Sequence, residues 1–288
     1  MIGPVSAQPD STLSTFTASD GENIAVQDWP LPEGRVPRGM VLIVHGLGEY
    51  AGRYDHVAKR LNHWGFAVRS YDQYGHGESG GMRGGLPTAT RLLDDLADLA
   101  ESARRRVPEG VPLVVLGHSM GGLIAATAVA RQLLPVDALV LSSPALGTRL
   151  SPLQKMLMAC VPRIAPNMAV SNGLDPDFLT HDRAVVDAYR ADPRVHDRLT
   201  GRLARFIVDE GPKVVASAPR WTVPTLLMYA GDDRLVDPAG SRAFAQGAQG
   251  GPVEAHCFQD LWHEIFNETG AGQEAVFLTL RRWLDGRF

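Results

Sequence analysis

The stretch Gly117-His118-Ser119-Met120-Gly121 sets a serine between glycines, after the apolar run 113–116 and before residues rich in glycine and alanine. This is the G-x-S-x-G pattern in the setting that gives it mechanical meaning. A sharp strand-to-helix turn, which only small neighbours allow, lifts the serine hydroxyl clear of the backbone. A helix that opens just after Ser119 aims unpaired N–H groups at any oxyanion formed there. A serine hydroxyl is a weak nucleophile until a base within hydrogen-bond reach takes its proton. The chemistry on offer is therefore acyl transfer, and it requires a histidine and an acid elsewhere in the chain. The bland alternative is a glycine-rich helix start that merely packs closely.

Where a serine sits on such a turn, the acid and then the histidine follow it along the chain. Residues 225–229 read as a late strand, followed by Ala230-Gly231-Asp232-Asp233-Arg234-Leu235-Val236-Asp237. Asp233 is the preferred acid and Asp232 the second. Asp237 stands before Pro238 at a helix start and reads as a cap. Past these, His256 alternates within the strand-like 253–258, whereas His263 lies on a loop ahead of the last helical pattern and is the expected base. The loop His45-Gly46-Leu47-Gly48-Glu49-Tyr50 follows the apolar run 41–44 and is placed to supply a second oxyanion donor. By position the two donors are the backbone N–H groups of Leu47 and Met120. His45 reads as shaping its turn, and His76, in the glycine-rich loop 72–79, as structural. No helix opens after that loop, so no dinucleotide site is expected.

These residues need a frame. Apolar runs at 41–44, 66–71, 113–116, 138–141 and 225–229 alternate with helical patterns at 54–64, 91–106, 121–134 and 275–283. In 91–106, Leu92, Leu93, Leu96, Leu99 and Ala100 fall on one helical face. Fully apolar strands suit burial on both faces. The expected class is α/β, with a mostly parallel central sheet flanked by helices and the site at the carboxyl ends of the strands. Residues 15–18 and 23–27 around Asp20-Gly21 suggest a hairpin. Strand signals vanish over 147–219, which reads as a helical cap, or lid, inserted into a core made of 1–146 and 220–288.

The 288 residues are 44% hydrophobic and 21% charged, with a formal net charge of −4. That balance carries no basic footprint, so no nucleic-acid partner is expected. Cys160 and Cys257 lack paired CxxC spacing and read as unpaired thiols, which fits a reducing cytoplasm. No apolar run approaches the roughly 18 residues of a membrane span, and residues 1–16 lack a secretory leader pattern. The expectation is a soluble, cytoplasmic protein that needs neither a metal nor an organic cofactor.

The segments HGLGEYAGRY, DQYGHGESGGMRG, GHSMGG, GDDRLVD and WHEIFNE, in that order, resemble the monoacylglycerol lipase and lysophospholipase branch of the α/β-hydrolase superfamily, from about residue 42 to the end. SPLQKMLMACVPRIAPN and AYRADPRVH stand where that branch has its cap motifs. The resemblance implies the α/β-hydrolase fold and a triad of Ser119, Asp233 and His263. It prefers Asp233 because the family's acid directly precedes the pair matched by Arg234-Leu235. It also implies Leu47 and Met120 as oxyanion donors. It gives the cap a lipid role, with Leu150, Leu153, Met156, Leu157, Cys160 and Val161 on an apolar helical face that meets an acyl chain or simply packs on the core. Glu49 and Arg53 match positions at the polar, alcohol-side end of the pocket; without the resemblance they read as a surface ion pair. Phe266 stands where some relatives carry a second histidine.

The implied activity is carboxylic-ester hydrolysis, foremost of monoacylglycerols to fatty acid and glycerol through an acyl-enzyme on Ser119. The partner would be a lipid or small ester, with transient membrane-surface contact through the cap. Rival readings are a short-chain carboxylesterase, a lysophospholipase and a prolyl-aminopeptidase-like peptidase. The last would carry HGGPG where HGLGEY stands. Dehalogenases and epoxide hydrolases place Asp where Ser119 stands. A non-catalytic binding module would lack a triad member.

Overall fold

The computed structural model describes residues 11–149 and 165–288. Its chain order is β1 (Thr12–Thr17), β2 (Asn23–Trp29), β3 (Gly39–Val44), α1 (Asp55–His63), β4 (Phe66–Tyr71), α2 (Arg91–Arg104), β5 (Leu113–His118), α3 (Met120–Ala130) and β6 (Ala138–Ser142). Then come β7 (Ala169–Ser171), α4 (Arg183–Ala191), β8 (Arg198–Thr200), α5 (Gly201–Ser217), β9 (Thr225–Ala230), α6 (Pro238–Gly247), β10 (Val253–Phe258) and α7 (Gly270–Asp285). Among the described residues, eight strands form one sheet in the order β1-β2-β4-β3-β5-β6-β9-β10. The β1–β2 and β2–β4 pairs are antiparallel and the rest parallel. This is the α/β arrangement that the alternating pattern implies.

Strand period decides what each face buries. In β3, Met40, Leu42 and Val44 enter one apolar layer while Val41 and Ile43 enter the other; β5 divides Leu113 and Val115 from Val114 and Leu116 in the same way. The first layer is closed by Leu92, Leu96 and Leu99 of α2, by α3, and by Phe206 and Phe244. Val57 and Leu61 of α1 close the second, with Phe277, Leu280 and Trp283 of α7. The edge strands β1 and β10 are exposed or half-buried and β2 is partly so, whereas β4, β3, β5, β6 and β9 are buried throughout. Helix α3 is buried from Met120 to Val129, which explains why its sequence carries no apolar stripe.

Three expectations need correction. Helix α3 ends at Ala130, not near 134, because Gln132 turns left-handed at φ 57°. The Leu133 N–H then reaches Ala128 O at 2.9 Å and the Gln132 N–H reaches Val129 O at 2.9 Å, a Schellman closure made without glycine. Helix α7 starts at Gly270, five residues before its expected beginning at 275. Within 147–219 strand structure does occur: β7 and β8 pair antiparallel, with Ala169 opposite Thr200. No helix among the described residues is long and apolar enough to cross a membrane.

One buried charge pair ties the antiparallel strands to the parallel ones. Arg69 of β4 is 1% exposed. It donates to Asp28 of β2 through Nε at 2.7 Å and Nη2 at 2.8 Å, and to Ser102 Oγ of α2 at 2.8 Å. Truncation strands a buried carboxylate, so Arg69→Leu is expected to cost about 3–5 kcal/mol. A urea titration with unchanged slope and a lowered midpoint would show it.

Candidate active site

Ser119 follows β5 at φ 52° and ψ −119°, a backbone conformation disfavoured for any residue with a Cβ. The surroundings over-determine it. Its N–H donates to Ser142 O at 3.0 Å, and its carbonyl accepts from Leu123 at 3.1 Å and Ala145 at 3.0 Å. The start of α3 is wedged against the end of β3, so a Cβ at Gly121 would stand 2.1 Å from the Val44 carbonyl oxygen. Glycine is obligatory there for steric reasons, and the turn presents the Ser119 hydroxyl outward.

The Ser119 Oγ lies 2.9 Å from His263 Nε2, and His263 Nδ1 lies 2.7 Å from Asp233 Oδ2. The other carboxylate oxygen of Asp233 accepts the N–H groups of Leu235 at 2.9 Å and Val236 at 2.8 Å. Asp233 is thus held from both ends. Asp232 is absent from this chain of contacts: it faces outward to Trp262 Nε1 at 3.1 Å and Arg234 at 3.2 Å. Asp237 caps α6 through Ala239 N–H at 3.0 Å, and His256 pairs with Glu254 on β10. Burial opposes charge on His263, but the Asp233 carboxylate, with Glu264 and Glu49 behind it, outweighs burial and the imidazole pKa rises above its ordinary value. Burial likewise opposes charge on Asp233, and the imidazole with the two N–H donors still holds its pKa below the usual range. His118 packs its ring 4.8 Å from that of His263. Burial first, then repulsion from His263, draws His118 down to about 3, so it stays neutral at ordinary pH.

Leu47 and Met120 both line the space beside Ser119. Neither backbone N–H meets an acceptor among the described residues, so both are open to an incoming oxyanion. His45 shapes the loop: its Nδ1 meets Gly46 O at 2.7 Å and its Nε2 accepts from Gln73 N–H at 2.9 Å.

Two cavities meet at Ser119. One, of about 180 Å³, sets Glu49, His118, Tyr189, Asp192, His196 and Glu264 in a wall shared with Leu47, Leu174, Leu179 and Val195. The other, about 380 Å³, is walled by Phe178, Leu199, Ala204, Ile207, Val208 and Val236. The sequence reading missed this apolar wall, which comes largely from α5; the signal was an amphipathic stripe that reads equally well as core. Leu150, Leu153, Met156 and Leu157, with Cys160 and Val161, lie outside the described residues. Glu49 and Arg53 are not a surface pair. Their side chains are 4% and 10% exposed, and Arg53 lies behind the cavity wall rather than in it. A second carboxylate, Glu264, joins them at 2.6 Å from Arg53, a partner the sequence reading did not single out. Phe266 is buried in the second apolar layer, packed against Phe277 at 5.3 Å.

Residues 35–270 match the hydrolase family described as serine aminopeptidase, S33. A monoacylglycerol lipase from Mycolicibacterium smegmatis is 38% identical over 251 residues, which cover 86% of this chain and 88% of that protein. The crystal structure of a Paleococcus ferrophilus monoacylglycerol lipase superposes with a TM-score of 0.80 at 29% identity, covering 96% of this chain and 99% of that one. A soluble variant of the Saccharomyces cerevisiae monoglyceride lipase, solved with a substrate analogue, shares the fold at a TM-score of 0.85 and 24% identity over 98% of this chain and 96% of that one.

Proposed function

We propose that this chain, which belongs to the serine aminopeptidase S33 family and is an ester hydrolase of the α/β-hydrolase fold, cleaves monoacylglycerols to fatty acid and glycerol through an acyl-enzyme on Ser119. The observation that carries this reading is the hydrogen-bonded chain Ser119–His263–Asp233 opening onto two cavities, the smaller of which carries the Glu49 and Glu264 carboxylates in its wall. An acyl chain suits the larger cavity, along Phe178, Leu199, Ile207 and Val208, and a small polyol the smaller one beside Glu49 and Glu264. The relatives named monoacylglycerol lipase support the same substrate.

In the reaction, Ser119 Oγ attacks the ester carbonyl carbon while His263 Nε2 takes the hydroxyl proton. The carbonyl π electrons move to oxygen, where the N–H groups of Leu47 and Met120 receive the negative charge; each such donor is worth about 3–4 kcal/mol in comparable enzymes. Collapse expels the alkoxide, which takes the proton back from His263. Water then attacks the acyl-enzyme by the same steps in reverse and frees the acid. Asp233 fixes the imidazole tautomer and stabilises its charge.

The residues 165–219 form a cap that hydrogen-bonds over the site, for example through His196 N–H to Gly48 O at 3.0 Å and Glu264 N–H to Leu179 O at 2.8 Å. Exposed Met168, Val170 and Leu174 lie on this cap and support transient contact with a lipid surface.

The test is turnover of p-nitrophenyl esters from two to sixteen carbons alongside 1-monooleoylglycerol, with proline naphthylamide as the peptidase probe. Strong turnover of the monoacylglycerol and of long-chain esters is expected. Activity confined to the shortest esters would make the cap a narrow gate and the protein a short-chain carboxylesterase. Cleavage of the naphthylamide alone would make it a peptidase.

A further inference from the structure

Glu49, Arg53 and Glu264 form a buried carboxylate–guanidinium–carboxylate bridge that the steps above leave unused. Arg53 Nη1 donates to Glu49 Oε2 at 2.7 Å and to Glu264 Oε1 at 2.6 Å, and Nη2 donates to Glu264 Oε2 at 2.7 Å. The ring of Tyr189 covers the guanidinium at 4.8 Å. Both carboxylates are also engaged on the loops that carry the reacting groups. Glu49 Oε1 accepts the Gly46 N–H at 2.5 Å and the Tyr54 hydroxyl at 2.7 Å. Glu264 Oε2 accepts from Asn267 Nδ2 at 2.7 Å.

Gly46 immediately precedes Leu47, the proposed oxyanion donor, and Glu264 immediately follows His263, the proposed base. One guanidinium therefore spans the two loops whose separation fixes where the oxyanion forms relative to the base. Without it, two buried like charges would face each other and push those loops apart. Both Arg53 Nη atoms are committed to carboxylates, and the residue does not reach the cavity at Ser119.

We infer that Arg53 is a positioning residue, which sets the Leu47 N–H against His263 through Glu49 and Glu264 and so acts on every ester regardless of its alcohol. This rests on the proposed roles of Ser119, His263 and the oxyanion donors. The transition-state oxyanion is the species that suffers when the loops drift, in acylation and deacylation alike.

The experiment compares 1-lauroylglycerol with p-nitrophenyl laurate, which share an acyl chain and differ in alcohol. Arg53→Met is measured per active site titrated with a fluorophosphonate, so that unfolded protein does not count. A displaced oxyanion donor costs about 10²–10³-fold in turnover, and the expected result is a kcat lower by roughly 10²-fold on both esters. KM should stay within about threefold, because the lost interaction exists only in the transition state. Loss confined to the glycerol ester would overturn the inference and make Arg53 an alcohol-binding group. Should Arg53→Met melt without a cooperative transition, Glu264→Gln takes its place. It keeps the side-chain shape and removes one charge of the bridge, and a kcat lower by about tenfold on both esters is expected; wild-type kcat on both would overturn the inference. A wild-type protein idle on both esters would instead overturn the proposed function, and this inference would fall with it.

Discussion

Ser119→Ala is expected to lower kcat on 1-monooleoylglycerol by about 10⁵–10⁶-fold while leaving the fold intact, since triad members act as a unit and losing the nucleophile forfeits nearly all of their joint effect. The residual rate would come from the oxyanion donors and substrate binding. The substitution is a clean probe because serine and alanine both carry a Cβ and share the same conformational cost at φ 52°. The strain is neither relieved nor increased, so the melting temperature should stay within a few degrees of wild type. A variant that kept more than about a hundredth of wild-type turnover would show that another group attacks the ester.

Asp233→Asn is expected to lower kcat by about 10⁴-fold, because an amide in place of the carboxylate favours the wrong imidazole tautomer. The pH profile should move as well, and its sign follows from the structure. In the proposed mechanism His263 acts as a neutral base, and Asp233, together with Glu264 and Glu49, outweighs burial to raise the imidazole pKa. In the wild type, activity is therefore lost as pH falls through a value above the ordinary 6.5 of histidine. Once the carboxylate is gone, burial remains and the limb shifts to lower pH. The stability linkage has two parts. The raised His263 pKa contributes stability that is full below the unfolded value and is lost as pH rises through the folded one. The depressed Asp233 pKa contributes stability above its unfolded value that is lost as pH falls through the folded one. Asp232→Asn is the control. That side chain faces solvent with Trp262 and Arg234, so activity should stay within about twofold and the limb should not move.

The two aspartates also show how far the sequence was legible. Neighbouring loop residues point opposite ways, and spacing alone cannot say which one turns inward; only the inward turn of Asp233, closed by Leu235 and Val236 N–H, separates them. The frame was easier to read. The doubly buried strands β3 and β5 announce themselves as uninterrupted apolar runs, and Gly117 and Gly121 mark the turn between β5 and α3 by the side chains they lack. Local signals failed where a structure arises without its usual residue. The left-handed turn at Gln132 ends α3 with no glycine, and β7 and β8 are too short at three residues each to show alternation. Function at a distance was the least legible. Nothing in the spacing of Glu49, Arg53 and Glu264 says that the chain returns more than two hundred residues later to complete a buried bridge. The apolar stripe of α5 likewise reads the same whether it faces a core or a cavity.

The claim on which the whole reading depends is that Ser119 is the nucleophile activated by His263. The most direct measurement is to label the protein with a fluorophosphonate, weigh the intact chain and map the modified peptide. The account predicts one adduct per chain, located on Ser119, absent from Ser119→Ala and formed far more slowly in His263→Ala. An ester-hydrolysing wild-type protein that carried its adduct on another residue, or took up none, would contradict it.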